Sequence, residues 1–329
     1  MDRSMFFKCF AFGAAAAAGN CRAEDLSGKS APVGAGGPLG SNLFFGESAT
    51  GGVRRLGSER HFTLWHAGIE PNYRVKLGEI VLIELQHGLP GLVTRDGTFR
   101  KAGKGDKVNP QTGPIYVEGI GPGDALAIDF LEIRVGDWGY AGGRIFELVD
   151  GYAVFDDKLR LRLSPMIGGV GIAPAQGEMD TKRPADTGGN MDCKEVRAAS
   201  TLVFSAQVSG ALVGMGDTHA LQGDGEIAGQ GIETDAEALV RFRKLPEKLS
   251  DRPVIVRRDF VATLSAQEDL TEAAWQATDD MVNLVAAVTG RKPPDARMLV
   301  NLVGDLKINQ IVDPTKGARM EMPAWAFGV

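Results

Sequence analysis

The apolar runs of this chain are short. Ile80 to Glu84 and Ala125 to Arg134 are rich in apolar and β-branched residues and bounded by Gly or Pro, the pattern of strands. Both are entered alike, through Leu77-Gly78-Glu79 and Pro122-Gly123-Asp124, and each reaches an acid five residues later, at Glu84 and Asp129. No longer similarity supports an internal duplication, so we read the likeness as one turn type reused between stacked antiparallel strands. The 44 glycines fit that reading, because glycine enters positive φ without steric cost and turns need it. Further strands are expected at Thr201 to Val208, Ala211 to Met215, Ala238 to Arg243 and Val254 to Thr263.

Helix comes late. Ser265-Ala-Gln-Glu268 has the form of a capping box, Leu270, Ala273, Ala274, Met281, Leu284 and Val285 follow near helical spacing, and Gly290 is a natural stop. A second short helix is expected over Asp295 to Val303. The expected fold class is therefore mainly β (α+β): stacked antiparallel β-sheets forming a β-sandwich body to about residue 263, with a smaller helical C-terminal portion over 264–329.

Residues 24–58 are rich in Gly, Ser, Ala and Pro and read as an irregular arm, leaving 59–329 as the main domain. Residues 1–23 carry Arg3 and Lys8 before an alanine-rich run from Cys9 to Gly19, with small residues at Cys21 and Ala23, the pattern of a secretory signal. Cleavage after Ala23 implies a periplasmic or secreted protein with Cys193 as its one cysteine; an uncleaved, unstructured leader implies a cytoplasmic one. A net charge of −6 without a long basic run gives no electrostatic footprint for nucleic acid or an anionic membrane, and no stretch approaches the ~20 apolar residues of a membrane span. Neither partner is expected.

Polar chemistry concentrates in Gly216-Asp-Thr-His-Ala-Leu-Gln-Gly-Asp-Gly-Glu226. In extended backbone, residues two apart share a face, which pairs Asp217 with His219, Asp224 with Glu226 and, upstream, Asn190 with Asp192. Carboxylates and an imidazole on common faces can hold a divalent metal that polarises an amide carbonyl and acidifies water. Acidic, glycine-rich stretches are also ordinary surface turns, and spacing alone leaves both readings open.

Thr112-Gly-Pro-Ile-Tyr-Val-Glu-Gly119 with Pro122-Gly-Asp124, Gly188-Gly-Asn-Met-Asp192, the 216–226 segment and Gly304-Asp-Leu-Lys-Ile-Asn-Gln310 together resemble the acetamidase/formamidase family. The resemblance runs from about Trp65 to the C-terminus and includes Trp65-His66, similar to a Trp-His pair of formamidase members. It implies hydrolysis of a small aliphatic or cyclic amide by metal- or carboxylate-activated water, a mainly β fold, a bound divalent metal and a homodimer. Carried over, Asp192, Asp217 and His219 are the metal neighbours, with zinc the first choice and calcium or manganese suited to a shell richer in oxygen. Glu226, with Asp224 and His219, is the catalytic set; Asn190, Gln222, Asp224, His87 and Glu118 are candidates for orienting the amide or the water. The chain departs from the pattern at Asn109, where relatives commonly carry His before Pro, and at His87, where an acid would align.

Cys193 adjoins Lys194 and Glu195, residue types that cysteine amidases use together, but on a strand it points away from the face of Asp192 and reads as a buried small hydrophobe. There is no Gly-x-Ser-x-Gly elbow. The competing classes are a non-catalytic periplasmic binding protein for a small amide or carboxylate and a carbohydrate-binding sandwich. The second needs exposed aromatic platforms, and the four tryptophans are scattered.

Overall fold

The computed structural model describes residues 53–328. The expected leader, residues 1–23, and the arm as far as residue 52 lie outside the described residues. The end of that arm does not stay irregular: Arg54–Leu56 is an edge strand running parallel to Ile80–Leu85. Leu56 is buried beneath it, and Arg55 reaches Glu84 at 3.0 Å and also Glu237.

A nine-stranded sheet forms one wall, in the spatial order Arg54–Leu56, Ile80–Leu85, Ala236–Leu245, Ala125–Val135, Ser200–Ser205, Val254–Val256, Phe260–Gln267, Lys316–Pro323 and Asp305–Gln310. All its pairings after the first are antiparallel. The seven-stranded second wall has at its centre Met166–Gly171, Val213–His219 and Gln111–Val117. Ile83, Ile128, Phe130, Leu202, Phe204 and Val240 from the first wall meet Ile115, Val117, Ile167, Val170 and Val213 from the second in one core, as alternating inward positions of a sandwich should. A four-stranded sheet from Trp138 to Arg162 and a two-stranded pair, Leu64–His66 with Glu178–Asp180, complete the body.

The C-terminal portion is not a separate layer of β structure, since its three strands extend the nine-stranded sheet. Two helices, α1 (Leu270–Thr289) and α2 (Pro293–Val303), cover the outer face of that end. Met281, Leu284, Val285, Ala296 and Val300 pack there on Val254, Val256, Val261, Met320 and Met322. Gly290 ends α1 in the left-handed region, as its sequence implies. The start differs. Ser265 and Gln267 belong to the strand, and the cap is Asp269, whose carboxylate accepts from the N–H groups of Thr271 and Glu272. Asp269 alone meets two orphan donors of the first turn, whereas a Ser265–Glu268 box would address the N–H groups of Glu268 and Ser265, which precede the helix. Val254 to Thr263, expected as one strand, turns at Arg257 to Asp259 into a hairpin. No described helix is long and apolar enough to cross a membrane.

Candidate active site

Four strand ends meet at one end of the sandwich. Ile80–Leu85 runs out into Gln86, His87 and Gly88; Asn109 leads into Gln111–Val117; Val213–His219 ends on His219; and Glu233 precedes Ala236–Leu245. The short strand Gly188–Asn190, paired to Met166–Gly171, delivers Asn190 and Asp192 beside them.

Asp217 departs from a regular ladder. Its φ is 57°, and its N–H donates to Gln86 O at 2.8 Å in the facing wall instead of continuing the pairing with Met166–Gly171. Asn109 (φ 48°), Asp192 (φ 44°) and Glu226 (φ 44°) also occupy the left-handed region. Non-glycine residues there cost about 1–3 kcal/mol each and collect where function requires them. Gly168 lies opposite. A Cβ on it would stand 3.1 Å from Asp217 Oδ2 and closer still to Asp192 Oδ1, so only glycine lets the two carboxylates converge. Gly88 does the same beneath Asp217 Oδ1, Asn109 Oδ1 and Glu233 Oε2.

Asp192, Asp217 and His219 each offer a ligand atom, and these atoms all lie within 4.8 Å of one another. All three residues are buried. The remaining bonds orient them. His219 Nδ1 is 2.6 Å from Gln222 Oε1, and Gln222 Nε2 donates to Asp192 O at 2.7 Å. That partner fixes the imidazole as an Nδ1–H donor and turns Nε2 toward the carboxylates. Asn190 donates to Asp192 Oδ2 at 2.7 Å and to Asp313 Oδ2 at 3.2 Å, while Asn109 donates to Asn190 Oδ1 at 3.1 Å and Asp217 Oδ2 at 3.2 Å. Asp192 Oδ1 and His219 Nε2 remain buried without a hydrogen-bond partner, the latter 3.1 Å from Glu233 Oε1 but out of alignment. Two carboxylates, one imidazole, two orphaned ligand atoms and a floor of glycine fit a divalent cation.

The electrostatics agree. Burial, with Glu226 and Asp217 nearby, pushes the Asp192 carboxyl well above the usual range; burial and Glu233 push Asp217 up to about 6 against the pull of His219. Burial disfavours the His219 imidazolium, but Glu233 and Asp217 outweigh it and raise its pKa. Glu226 is pushed up to about 7 by burial, opposed by His219 and helped by Asp217, Glu233 and Asp313. Negative charge exceeds what one imidazolium can balance, and a cation would relieve the excess.

The sequence expectations divide here. Asn190, Asp192, Asp217, His219, Gln222 and Glu226 are brought together. His87 is buried beside them; Leu89 N–H donates to its Nδ1 at 3.1 Å, and its ring meets Tyr140 edge-on at 5.2 Å. Asp224 turns away from Glu226. It forms a two-pronged ion pair with Arg319 at 2.8 and 2.9 Å and a third contact with Lys194 at 2.9 Å. Burial opposes its ionisation, but those cations hold its carboxyl below the ordinary range, which leaves it a structural anion. Glu118 is exposed beyond the far end of Gln111–Val117, roughly 20 Å along the strand from the cluster. His66 pairs across from Glu178 in the two-stranded sheet. Cys193 is fully buried, and burial pushes its thiol up to about 11.

Sequence reasoning missed Glu233, Asp313 and Arg319. Gly231-Ile-Glu-Thr-Asp235 does carry the glycine-then-alternating-acids device of the other segments: Glu233 accepts from Gly88 N–H at 3.0 Å and Asp235 from His87 N–H at 3.1 Å. Burial opposes ionisation of Glu233, yet His219, Gly88 N–H and His87 lower its pKa. Arg319 alternates with Glu321 on one strand face, but nothing local pointed to Asp224, its partner 95 residues back along the chain.

Comparison with known proteins identifies the family and the fold. The acetamidase/formamidase family model matches residues 55–164 and 172–255. The crystal structure of an acetamidase from Bacillus halodurans is 32% identical and superposes with a TM-score of 0.78 over 84% of this chain and 100% of that one. A protein described as a predicted acetamidase/formamidase of Thermoanaerobacter tengcongensis is 30% identical, with a TM-score of 0.79 over 83% of this chain and 96% of that one. The acetamidase of Mycolicibacterium smegmatis is 24% identical over a match covering 50% of this chain, which spans 60% of that relative's length. The sandwich, its crowded end and these matches place the chain in the acetamidase/formamidase family.

Proposed function

We propose that this protein hydrolyses the C–N bond of a small aliphatic or cyclic amide to carboxylate and ammonia or amine. The observation that carries the reading is the convergence of Asp192, Asp217 and His219 around two orphaned ligand atoms, with Glu226 beside them. Those three residues would hold a divalent ion. Zinc suits the mixed imidazole and carboxylate set, while calcium or manganese would require more oxygen. When bound, the ion supplies positive charge that polarises the amide carbonyl and acidifies a neighbouring water.

The chain's own groups then act in order. Asn190 and Asn109 hold the carboxylates in register through their amide N–H groups, and Gln222 holds His219. Glu226, with a pKa near neutrality, takes a proton from the attacking water at its carboxylate. The water oxygen bonds to the carbonyl carbon, the C–N bond breaks toward nitrogen, and the proton held by Glu226 goes to the leaving amine. Simple binding of an amide would not require so many titratable groups with perturbed pKa values, which disfavours a non-catalytic binding protein.

Ammonia release across formamide, acetamide, longer amides and lactams tests the reaction, with elemental analysis of the same protein. Chelator-treated protein should lose activity and regain it with one added ion. His219→Ala should lose both metal and activity while staying folded, and full activity in metal-free protein would overturn the metal's role. We also propose a homodimer and a periplasmic or secreted location; light scattering and mass spectrometry of the native N-terminus test these.

A further inference from the structure

Tyr140 stands in one row with the cluster. Its N–H donates to Glu233 O at 2.9 Å and its O accepts from Glu233 N–H at 2.9 Å, while Glu233 also bridges antiparallel to His219. Directly opposed residues of an antiparallel ladder project to the same face, so Tyr140, Glu233 and His219 share the face that carries the carboxylates. The ring is 3% exposed and its hydroxyl is buried with no acceptor for its proton, the Leu89 backbone lying near the oxygen. A tyrosine kept only for packing would not need that oxygen, because phenylalanine fills the same space without burying an unpaired donor. Burial and the charges of Glu233, Asp217 and Asp235 raise the phenol's pKa, so the hydroxyl keeps its proton. His87 braces the ring edge-on from the turn that Glu233 and Asp235 clamp.

We propose that Tyr140 is a further catalytic residue, its hydroxyl donating a hydrogen bond to the carbonyl oxygen of the amide. As water oxygen bonds to the carbonyl carbon, the carbonyl π pair moves onto that oxygen, and the Tyr140 bond strengthens with the developing charge. When the carbonyl re-forms, the nitrogen leaves with the C–N pair and takes a proton, and Tyr140 ends with the proton it began with. A donor of this kind acts mainly in the transition state. The assignment rests on the amide-hydrolase reading above.

Tyr140→Phe tests it with the metal-loaded protein, since only one oxygen is lost. The expected result is a fall in kcat of about 100-fold with KM changed less than about threefold, unchanged metal content and a melting temperature equal to or above that of the wild type. Calorimetry supplies a second reading that does not depend on the active fraction. A phosphonamidate mimic of the tetrahedral species should bind about 100-fold more weakly to Tyr140→Phe, and the substrate amide equally well. Unchanged kcat, or a rise in KM alone, overturns the assignment in an active enzyme. A wild-type protein that hydrolyses no amide overturns the parent reading, and the role of Tyr140 falls with it.

Discussion

Replacing Arg319 by methionine keeps the aliphatic length of a fully buried side chain and removes its guanidinium. That group donates to Asp224 Oδ1 and Oδ2 at 2.8 and 2.9 Å, to Asn309 Oδ1 at 2.8 Å and to Glu321 Oε1 at 2.7 Å. Breaking a buried ion pair from one side costs about 3–5 kcal/mol when the abandoned anion cannot recover its hydration, which applies to the buried Glu321, whereas Asp224 is open to solvent. Two cations remain: Lys194 lies 2.9 Å from Asp224 and Lys307 lies 2.6 Å from Glu321. The loss should therefore fall at the lower end, about 3 kcal/mol. Urea unfolding followed by far-UV circular dichroism should show a lower midpoint with an unchanged slope. The loss is also local. Gly225 N–H donates to Asn309 O and Ile311 N–H to Gly225 O, so the same region ties down the turn that carries Glu226. Activity should fail at lower urea than the global transition. A stability loss under about 1 kcal/mol would refute the reasoning, because it would mean that the lysines and solvent alone balance the two carboxylates.

Gly168→Ala should destabilise the protein by about 1–3 kcal/mol and abolish metal binding, since the new methyl group overlaps Asp192 Oδ1; calorimetric metal titration and thermal unfolding check this. Asp129 supplies a pH test. Burial opposes its ionisation, but Arg243, Thr201 and Arg241 together lower its pKa, so its stabilisation is complete above the unfolded carboxyl pKa of about 3.9 and disappears as pH falls through the native value. Wild type should exceed Asp129→Asn in stability at pH 6, and that gap should close in acid; a gap independent of pH contradicts the argument. Cys193 should resist alkylation in the native protein and react on unfolding, and Cys193→Ser should keep its activity, as mass spectrometry and the amide assay would show.

Strands with their own hydrophobic signal were legible. Ile80–Leu85 and Ala125–Val135 flank Ala236–Leu245 on its two sides, and the turns before them are alike: Gly78 (φ 82°) and Gly123 (φ 86°) each donate across to a neighbouring strand, at Phe242 O and Ala206 O. What pattern could not show was pairing between distant segments. Arg54–Leu56 is too short to carry a period and becomes a strand only because Ile80–Leu85 offers an open edge.

The candidate site was half legible for a related reason. Spacing of two places residues on one face only while the backbone stays extended; Asn190 and Asp192 do bond directly, although the strand ends at Asn190 and Asp192 is itself left-handed (φ 44°). The pairing fails for Asp224 and Glu226. Gly225 (φ 94°) and Glu226 (φ 44°) lie in the left-handed region, the chain reverses, and the two carboxylates are sent to different partners. The same conformation at Asp217 breaks its ladder yet delivers its carboxylate toward Asp192. These residues hold a strained backbone and, at once, a surplus of buried negative charge, both unfavourable for the cluster by itself. A bound cation would offset the charge without relieving the backbone. The ladders on either side must therefore supply the remaining constraint, which explains why the cluster sits where both walls of the sandwich end together.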